Sequence, residues 1–329
     1  MNLALAMDRK RKGLFILPLV LIIAVLSLFL PTPVRADNSV PDVAVALSET
    51  SMNPQTEYTI TVTVTDTDGY SDIASVVFKL YYDSDTATNQ TEFDENTTAN
   101  AQTLAYITWT SGGGFVLSEE TGSSWAMGTC STPAEDDLAN PFVFKITPGK
   151  VSSTADNSTD CWQIAALVTD NGSETAWNAD NERAAMNWYG EVIANTTIAD
   201  FGAVVPGSEF AANTVGSLSL TYIANGPYDV KVKVAANAFA GGTGTVTVDV
   251  TDFNAEASNE VAFKADDDNT LDGAVGLTET GATISSSGTQ TGESGDTVTI
   301  NQLWMKMNSN YTCTGEKSGS IYFIITDGS

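Results

Sequence analysis

The residues of this 329-residue chain best suited to chemistry are aspartates set close together beside glycine. Asp66, Asp68 and Asp72 fall in Val64–Asp72, V-T-D-T-D-G-Y-S-D, and Asp266, Asp267, Asp268 and Asp272 fall in Ala265–Gly273, A-D-D-D-N-T-L-D-G. Ca²⁺ takes six to eight oxygen ligands, and carboxylates spaced this way in a turn can converge on one ion. Neither stretch has the twelve-residue loop closed by a bidentate Glu, so an EF-hand is excluded. Two readings stand. In the first, Asp and Gly shape an Asx-type turn at the end of a strand, or a solvated acidic loop. In the second, Asp66, Asp68 and Asp72, and likewise Asp266, Asp268 and Asp272, hold Ca²⁺. No other cofactor is indicated.

The chain contains no histidine. That removes the commonest general base and metal ligand, and with them Ser-His and Cys-His nucleophile pairs. A carboxylate pair of the glycosidase kind is the remaining hydrolytic option. The Gly-rich stretch Ala240–Thr245 lacks the Lys of a phosphate-binding loop. The expectation is a protein without catalysis. Among the six tryptophans, Trp125 lies in a loop-like context and Trp177 beside a domain boundary, so both are candidates for an exposed sugar-binding platform. Core packing is the other reading, and it comes first for Trp109 and Trp162. Sequons for N-glycosylation stand at Asn89, Asn96, Asn157, Asn171, Asn195 and Asn310.

Such residues need elements to position them, and strand patterns dominate after residue 40. Tyr58–Val64 alternates large apolar residues with Thr, as a strand with one buried face does. Val76–Tyr82, Leu104–Trp109, Phe142–Ile146 and Cys161–Val168 read as further strands. In the second half, Ser217–Ile223, Tyr228–Ala236, Gly244–Thr251, Asp296–Met307 and Ser320–Thr326 do the same. No stretch sustains a helical period, although N-A-D-N-E-R-A-A-M-N-W could hold one turn. Short alternating strands with turn punctuation imply an all-β protein of two antiparallel β-sandwiches, Ig-like or jelly-roll-like. The expected division is a signal peptide over 1–36, one sandwich over 37–185 and a second over 186–329, with a hinge or interface near Trp177–Tyr189.

The N-terminus reads as a secretory signal. Arg9-Lys10-Arg11-Lys12 precede an uncharged run from Leu14 to Leu30, Pro31 and Pro33 break it, and Val34-Arg35-Ala36 offers a cleavage site. An uncleaved membrane anchor is the alternative. Either way, contact with a membrane is expected only through this segment. In a secreted chain, cysteines tend to pair. Of the three, Cys130 and Cys161 share one half and are the expected disulfide, leaving Cys313 as a buried thiol or, in the alternative, an intermolecular bridge. The chain carries 14 basic and 41 acidic residues, a net charge of −27. Residues 1–36 hold five of the basic residues and one of the acidic ones, so cleavage would leave nine against 40, about −31. Such a surface repels nucleic acid and anionic headgroups and attracts divalent cations.

The first half, about residues 41–177, resembles immunoglobulin-like domains of prokaryotic surface proteins. The resemblance rests on Y-T-I-T-V-T-V-T-D-T-D-G, on W-Q-I-A-A-L-V-T-D-N-G-S-E-T-A-W, and on the repeated Val-Thr-Asp strand end at Val64–Asp66 and Val168–Asp170. The second half, about 190–329, is loosely similar to camelysin/TasA-like fibre subunits of bacterial matrix and archaeal pili. It does so through Phe201–Phe210, S-L-S-L-T-Y-I-A-N-G-P-Y-D-V-K-V-K-V and the terminal G-S-I-Y-F-I-I-T. These resemblances imply an exported, extracellular or cell-surface structural or adhesive protein, a surface-layer accessory or fibre subunit. Its partners would be other copies of itself, other surface proteins or glycans, with a carbohydrate-binding module as the alternative.

Overall fold

A computed structural model describes residues 38–84, 90–94, 100–134, 141–195, 198–267 and 270–329. Val40–Ser329 is one compact unit. Its first ten strands are β1 (Asp42–Ala46), β2 (Ser51–Met52), β3 (Tyr58–Thr65), β4 (Ile73–Asp83), β5 (Leu104–Thr110), β6 (Gly114–Ser118), β7 (Ala126–Met127), β8 (Phe142–Thr147), β9 (Cys161–Asp170) and β10 (Thr175–Met186). They form a four-stranded sheet in the order β1-β3-β8-β7 and a six-stranded sheet in the order β2-β10-β9-β4-β5-β6.

The alternation in β3 decides how the two sheets meet. Tyr58, Ile60, Val62 and Val64 are buried and the threonines between them are exposed. Phe144 and Phe142 on β8 face the same way and reach Phe78 on β4 and Trp109 on β5, with ring centroids 5.5 and 4.9 Å apart. Each such side chain contributes roughly 1.5–3 kcal/mol on burial. The six-stranded sheet is also covered on part of its outer face. There Tyr81 and Leu104 pack with Phe93. Lys79 is fully buried among them, its Nζ donating to the Phe93 carbonyl at 2.6 Å and lying over the Tyr81 and Phe93 rings.

The remaining strands are β11 (Gly190–Ala194), β12 (Thr214–Ala224), β13 (Tyr228–Val234), β14 (Thr247–Asp249), β15 (Glu260–Asp266), β16 (Val275–Gly276), β17 (Ala282–Gly288), β18 (Asp296–Met307) and β19 (Ile321–Asp327). One sheet runs β11-β12-β18-β15-β14 with β16 beside β15, and a three-stranded sheet β17-β13-β19 faces it. Val230, Val232 and Val234 of β13 share a core with Leu220, Phe263 and Leu303. The molecule is all-β and made of sandwiches, as its patterning implied. Pairing is antiparallel except for β2 with β10 and β14 with β15, which are parallel.

Residues 175–186, part of which the sequence suggested as a helical turn, are the long strand β10. Its register against β9 shifts between Asp180 and Ala184, and that irregularity breaks the period-2 pattern by which strands are read. The stretch beyond it is held firmly. Asn225, in the turn between β12 and β13, is 1% exposed and donates its amide to the Ser152 and Asn187 carbonyls at 2.8 and 2.9 Å. Its side-chain oxygen accepts from Tyr189 N–H at 2.7 Å, and its carbonyl accepts from Thr154 N–H. Gln290 donates to the Val151 carbonyl, Gln102 to that of Thr291, and Lys150 pairs with Glu191 at 2.7 Å. Ala101, Val151 and Ile223 form a small apolar cluster at the same place. Among the described residues no helix is long and apolar enough to cross a membrane. The run from Leu14 to Leu30 lies outside them.

Candidate functional site

The first Val-Thr-Asp ends β3 and opens an Asx turn. The Asp66 carboxylate accepts Asp68 N–H at 2.8 Å, and Gly69, at φ 91°, donates to the Asp66 carbonyl. A 3₁₀ turn over Tyr70–Asp72 then leads into β4. The second Val-Thr-Asp ends β9, the strand beside β4, where Ile73 pairs with Asp170. Asn171 joins the two turns, its backbone N–H donating to the Asp72 carbonyl at 2.7 Å and its amide to the Ser71 carbonyl at 3.0 Å. The repeated motif therefore puts two strand ends side by side.

This packing crowds carboxylates. Oxygens of Asp66, Asp68 and Asp72 lie within 4.8 Å of one another. Burial raises the Asp72 carboxyl above its ordinary pKa, and the charges of Asp170, Asp66 and Asp68 raise it further against a hydrogen bond from Asn171. Oδ2 of Asp72 is cut off from solvent and accepts no hydrogen bond. Asp170, 2% exposed, was not singled out in the sequence as a ligand, although its place in the twin motif is the signal that finds it. Converging carboxylates of this kind are what a hard divalent cation requires.

The second acidic stretch is described only in part. Asp266 is the last residue of β15, Asp272 is an exposed loop residue, and Asp268 lies outside the described residues. Among the described residues, the grouping able to hold a metal is Asp66, Asp68 and Asp72.

A different aspartate builds the opposite arrangement. Asp249, at the end of β14, is 6% exposed. Its carboxylate accepts N–H groups of Thr251, Asp252, Asn254 and Ala255 and the Thr251 hydroxyl, at 2.7–3.3 Å. Burial pushes this carboxyl up, but a side-chain hydrogen bond with Asp252, together with those from Thr251 and Ala255, outweighs it and holds the group well below the carboxylate range. The local sequence, Val250-Thr251-Asp252, is a third Val-Thr-Asp, and that signal was overlooked.

The expected disulfide is absent. Cys130, Cys161 and Cys313 are all free thiols. Trp162 points into the space between the sheets, so its neighbour Cys161 points to the outer face, where Gln163 donates to its sulfur. Cys130 packs against the inter-sheet core, its sulfur accepting Lys145 N–H. The two thiols thus lie on opposite sides of one sheet. Burial raises the pKa of both. Cys313 is half-buried, its thiol donating to the Thr245 carbonyl at 3.3 Å.

The two tryptophans proposed as sugar platforms part company. Trp125 is 4% exposed, lies 5.8 Å from the Trp162 ring and donates its indole N–H to the Ala101 carbonyl. It closes the core and offers no platform, because the loop carrying it folds over the end of the sandwich. Trp177 is 36% exposed on β10. Of the sequons, Asn157, Asn171, Asn195 and Asn310 are exposed. The amides of the first three donate to Arg183, Ser71 and Thr221 respectively. Asn89 and Asn96 lie outside the described residues.

No protein-family model and no curated protein matches the chain. Among solved structures it is similar to the two tandem V-type regions of VCBP3, a v-region-containing chitin-binding protein. The match covers 87% of this chain and 92% of that one at 11% identity, with a TM-score of 0.24. At that score no correspondence between residues follows.

Proposed function

We propose that this is an exported structural or adhesive protein of the cell surface or extracellular matrix, without catalysis of its own. The observation that carries the reading is the Asn225 junction. A fully buried amide, donating to two carbonyls and accepting one N–H, ties the β12–β13 turn to the first sandwich. A fixed tandem of sandwiches transmits load and holds its surfaces at set positions, which suits a surface-layer accessory or fibre subunit. The acidic surface fits an extracellular setting where counterions screen it. The test is immunogold labelling of intact native cells, with negative-stain microscopy of the purified chain. The reading expects label outside the cell and ordered assemblies. Label confined to the cytoplasm, or monomers at every salt and Ca²⁺ concentration, would sink it.

The Asp66–Asp68–Asp72 turn supplies this reading with a Ca²⁺ point at one end of the first sandwich, favoured by the solvent-excluded Asp72 Oδ2. With Asp170 alongside, a bound cation would neutralise both Val-Thr-Asp ends and stiffen the tip. A second functional reading is a carbohydrate-binding module, favoured by the exposure of Trp177 on the face of a regular sheet.

A further inference from the structure

Trp177 belongs to a line of residues in register across the outer face of the six-stranded sheet. It lies opposite Leu167 on β9, Leu167 opposite Val77 on β4, Val77 opposite Thr108 on β5, and Thr108 opposite Val116 on β6. Residues directly opposite share a face, so the five form one row. At ~4.8 Å per strand it is about 19 Å long. Trp177 and Val116 are 36% and 57% exposed, and the three between them are half-buried. The neighbouring row is Thr169, Ser75 and Thr110. On the other side Lys79 is buried and brings no charge to the surface. On a chain of net charge −27, this band of the sheet holds only apolar and hydroxyl side chains.

We infer that the Trp177–Val116 row is a docking face for an uncharged polysaccharide chain, stacked on the Trp177 indole and hydrogen-bonded by the Thr and Ser hydroxyls beside it. The inference rests on the carbohydrate-binding reading and gives it a place and a ligand class. Charge selects the occupant. An anionic polymer is repelled by the surrounding protein. A neutral polyol meets no such penalty, and an exposed indole in line with apolar neighbours, of which Val77 and Leu167 are braced against the Phe93 cluster, offers it an amphipathic surface.

The test is retention of the chain lacking residues 1–36 on insoluble cellulose, xylan, mannan and β-1,3-glucan, with alginate as the anionic control. Trp177→Ala and Val116→Glu are compared with the parent, and circular dichroism confirms that each folds. The expected result is retention on at least one neutral polysaccharide and none on alginate. Each variant should weaken that retention roughly tenfold or more, since aromatic anchors dominate such contacts. Raising NaCl from about 0.1 to 1 M should leave it unchanged. Retention undiminished in both variants would overturn this face while leaving the carbohydrate reading intact. No retention on any of the four would overturn both. A dimer in sedimentation velocity that Val116→Glu abolishes would assign the face to a second copy and overturn the inference.

Discussion

Two aspartate turns at strand ends, one in each sandwich, solve the same problem in opposite ways. Asp249 receives four backbone N–H groups and a hydroxyl, so its negative charge is met within the protein. Its pKa falls in spite of burial. Asp72 sits among Asp66, Asp68 and Asp170, and its pKa rises. The difference lies in the backbone. After Asp249 the chain curls back over the carboxylate, with Phe253 at φ 60° and Ala255 at φ 48°, and aims its donors at one point. The Asp66 turn makes an Asx bond to Asp68 N–H and then leaves as a 3₁₀ turn. An aspartate at or just past a strand end therefore does not by itself decide between a finished turn and a cation site. What decides is whether following N–H groups or neighbouring carboxylates fill the space.

This comparison can be broken at several points. The largest effect is expected from Asp249→Ala, which takes the acceptor from the buried Ala255 N–H and from the partly buried N–H groups of Thr251 and Asp252. Loss of about 3 kcal/mol or more follows, read as a lower urea midpoint. A loss under about 1 kcal/mol would show that the turn is not held by this carboxylate. Next is the response to Ca²⁺. At about a hundredfold excess over Kd, binding to the folded state adds about 2.7 kcal/mol, so the melting temperature of the parent should rise while that of Asp68→Ala should not.

The pH dependences should run in opposite directions. Asp249 has a depressed pKa, so its contribution is complete above the unfolded value of about 3.9 and is lost as pH falls toward its folded value. Asp72 has a raised pKa, so in metal-free protein its contribution is present below the unfolded value and is lost as pH rises through the folded one. Urea midpoints of Asp249→Asn and Asp72→Asn across pH 3–7, each against the parent, separate the two slopes. The smallest effect is Asp72→Asn in metal-free protein near neutral pH. Relief of repulsion at this half-buried group, screened by solvent on its open side, should stabilise by a few tenths of a kcal/mol, and a destabilisation would contradict the crowding.

The architecture was legible in most strands that alternate, although β1, which alternates exposed and buried over Asp42–Ala46, was missed. Tyr58–Thr65, Leu104–Thr110, Phe142–Thr147 and Asp296–Met307 differ from the sequence expectation by at most one residue, because a one-sided sheet writes its two faces into every second position. Other strands were missed where the pattern is interrupted. β10 carries a register shift, β11 has exposed Ile193, and β15 runs into an acidic stretch that read as a loop. The Asp66, Asp68 and Asp72 spacing pointed correctly to a turn, but Asp170 joins them only through the β4–β9 pairing, a contact spanning about a hundred residues. The disulfide expectation failed because sharing a half of the chain says nothing about sharing a face. One position separates the inward Trp162 from the outward Cys161.

The most direct measurement is isothermal titration of Ca²⁺ into the chain lacking residues 1–36, beside its Asp72→Asn and Asp249→Asn variants. The account predicts a saturable binding event in the parent that Asp72→Asn abolishes and Asp249→Asn retains. Absence of binding heat in the parent, together with an unchanged melting temperature in Ca²⁺, or equal binding in the parent and Asp72→Asn, would contradict it.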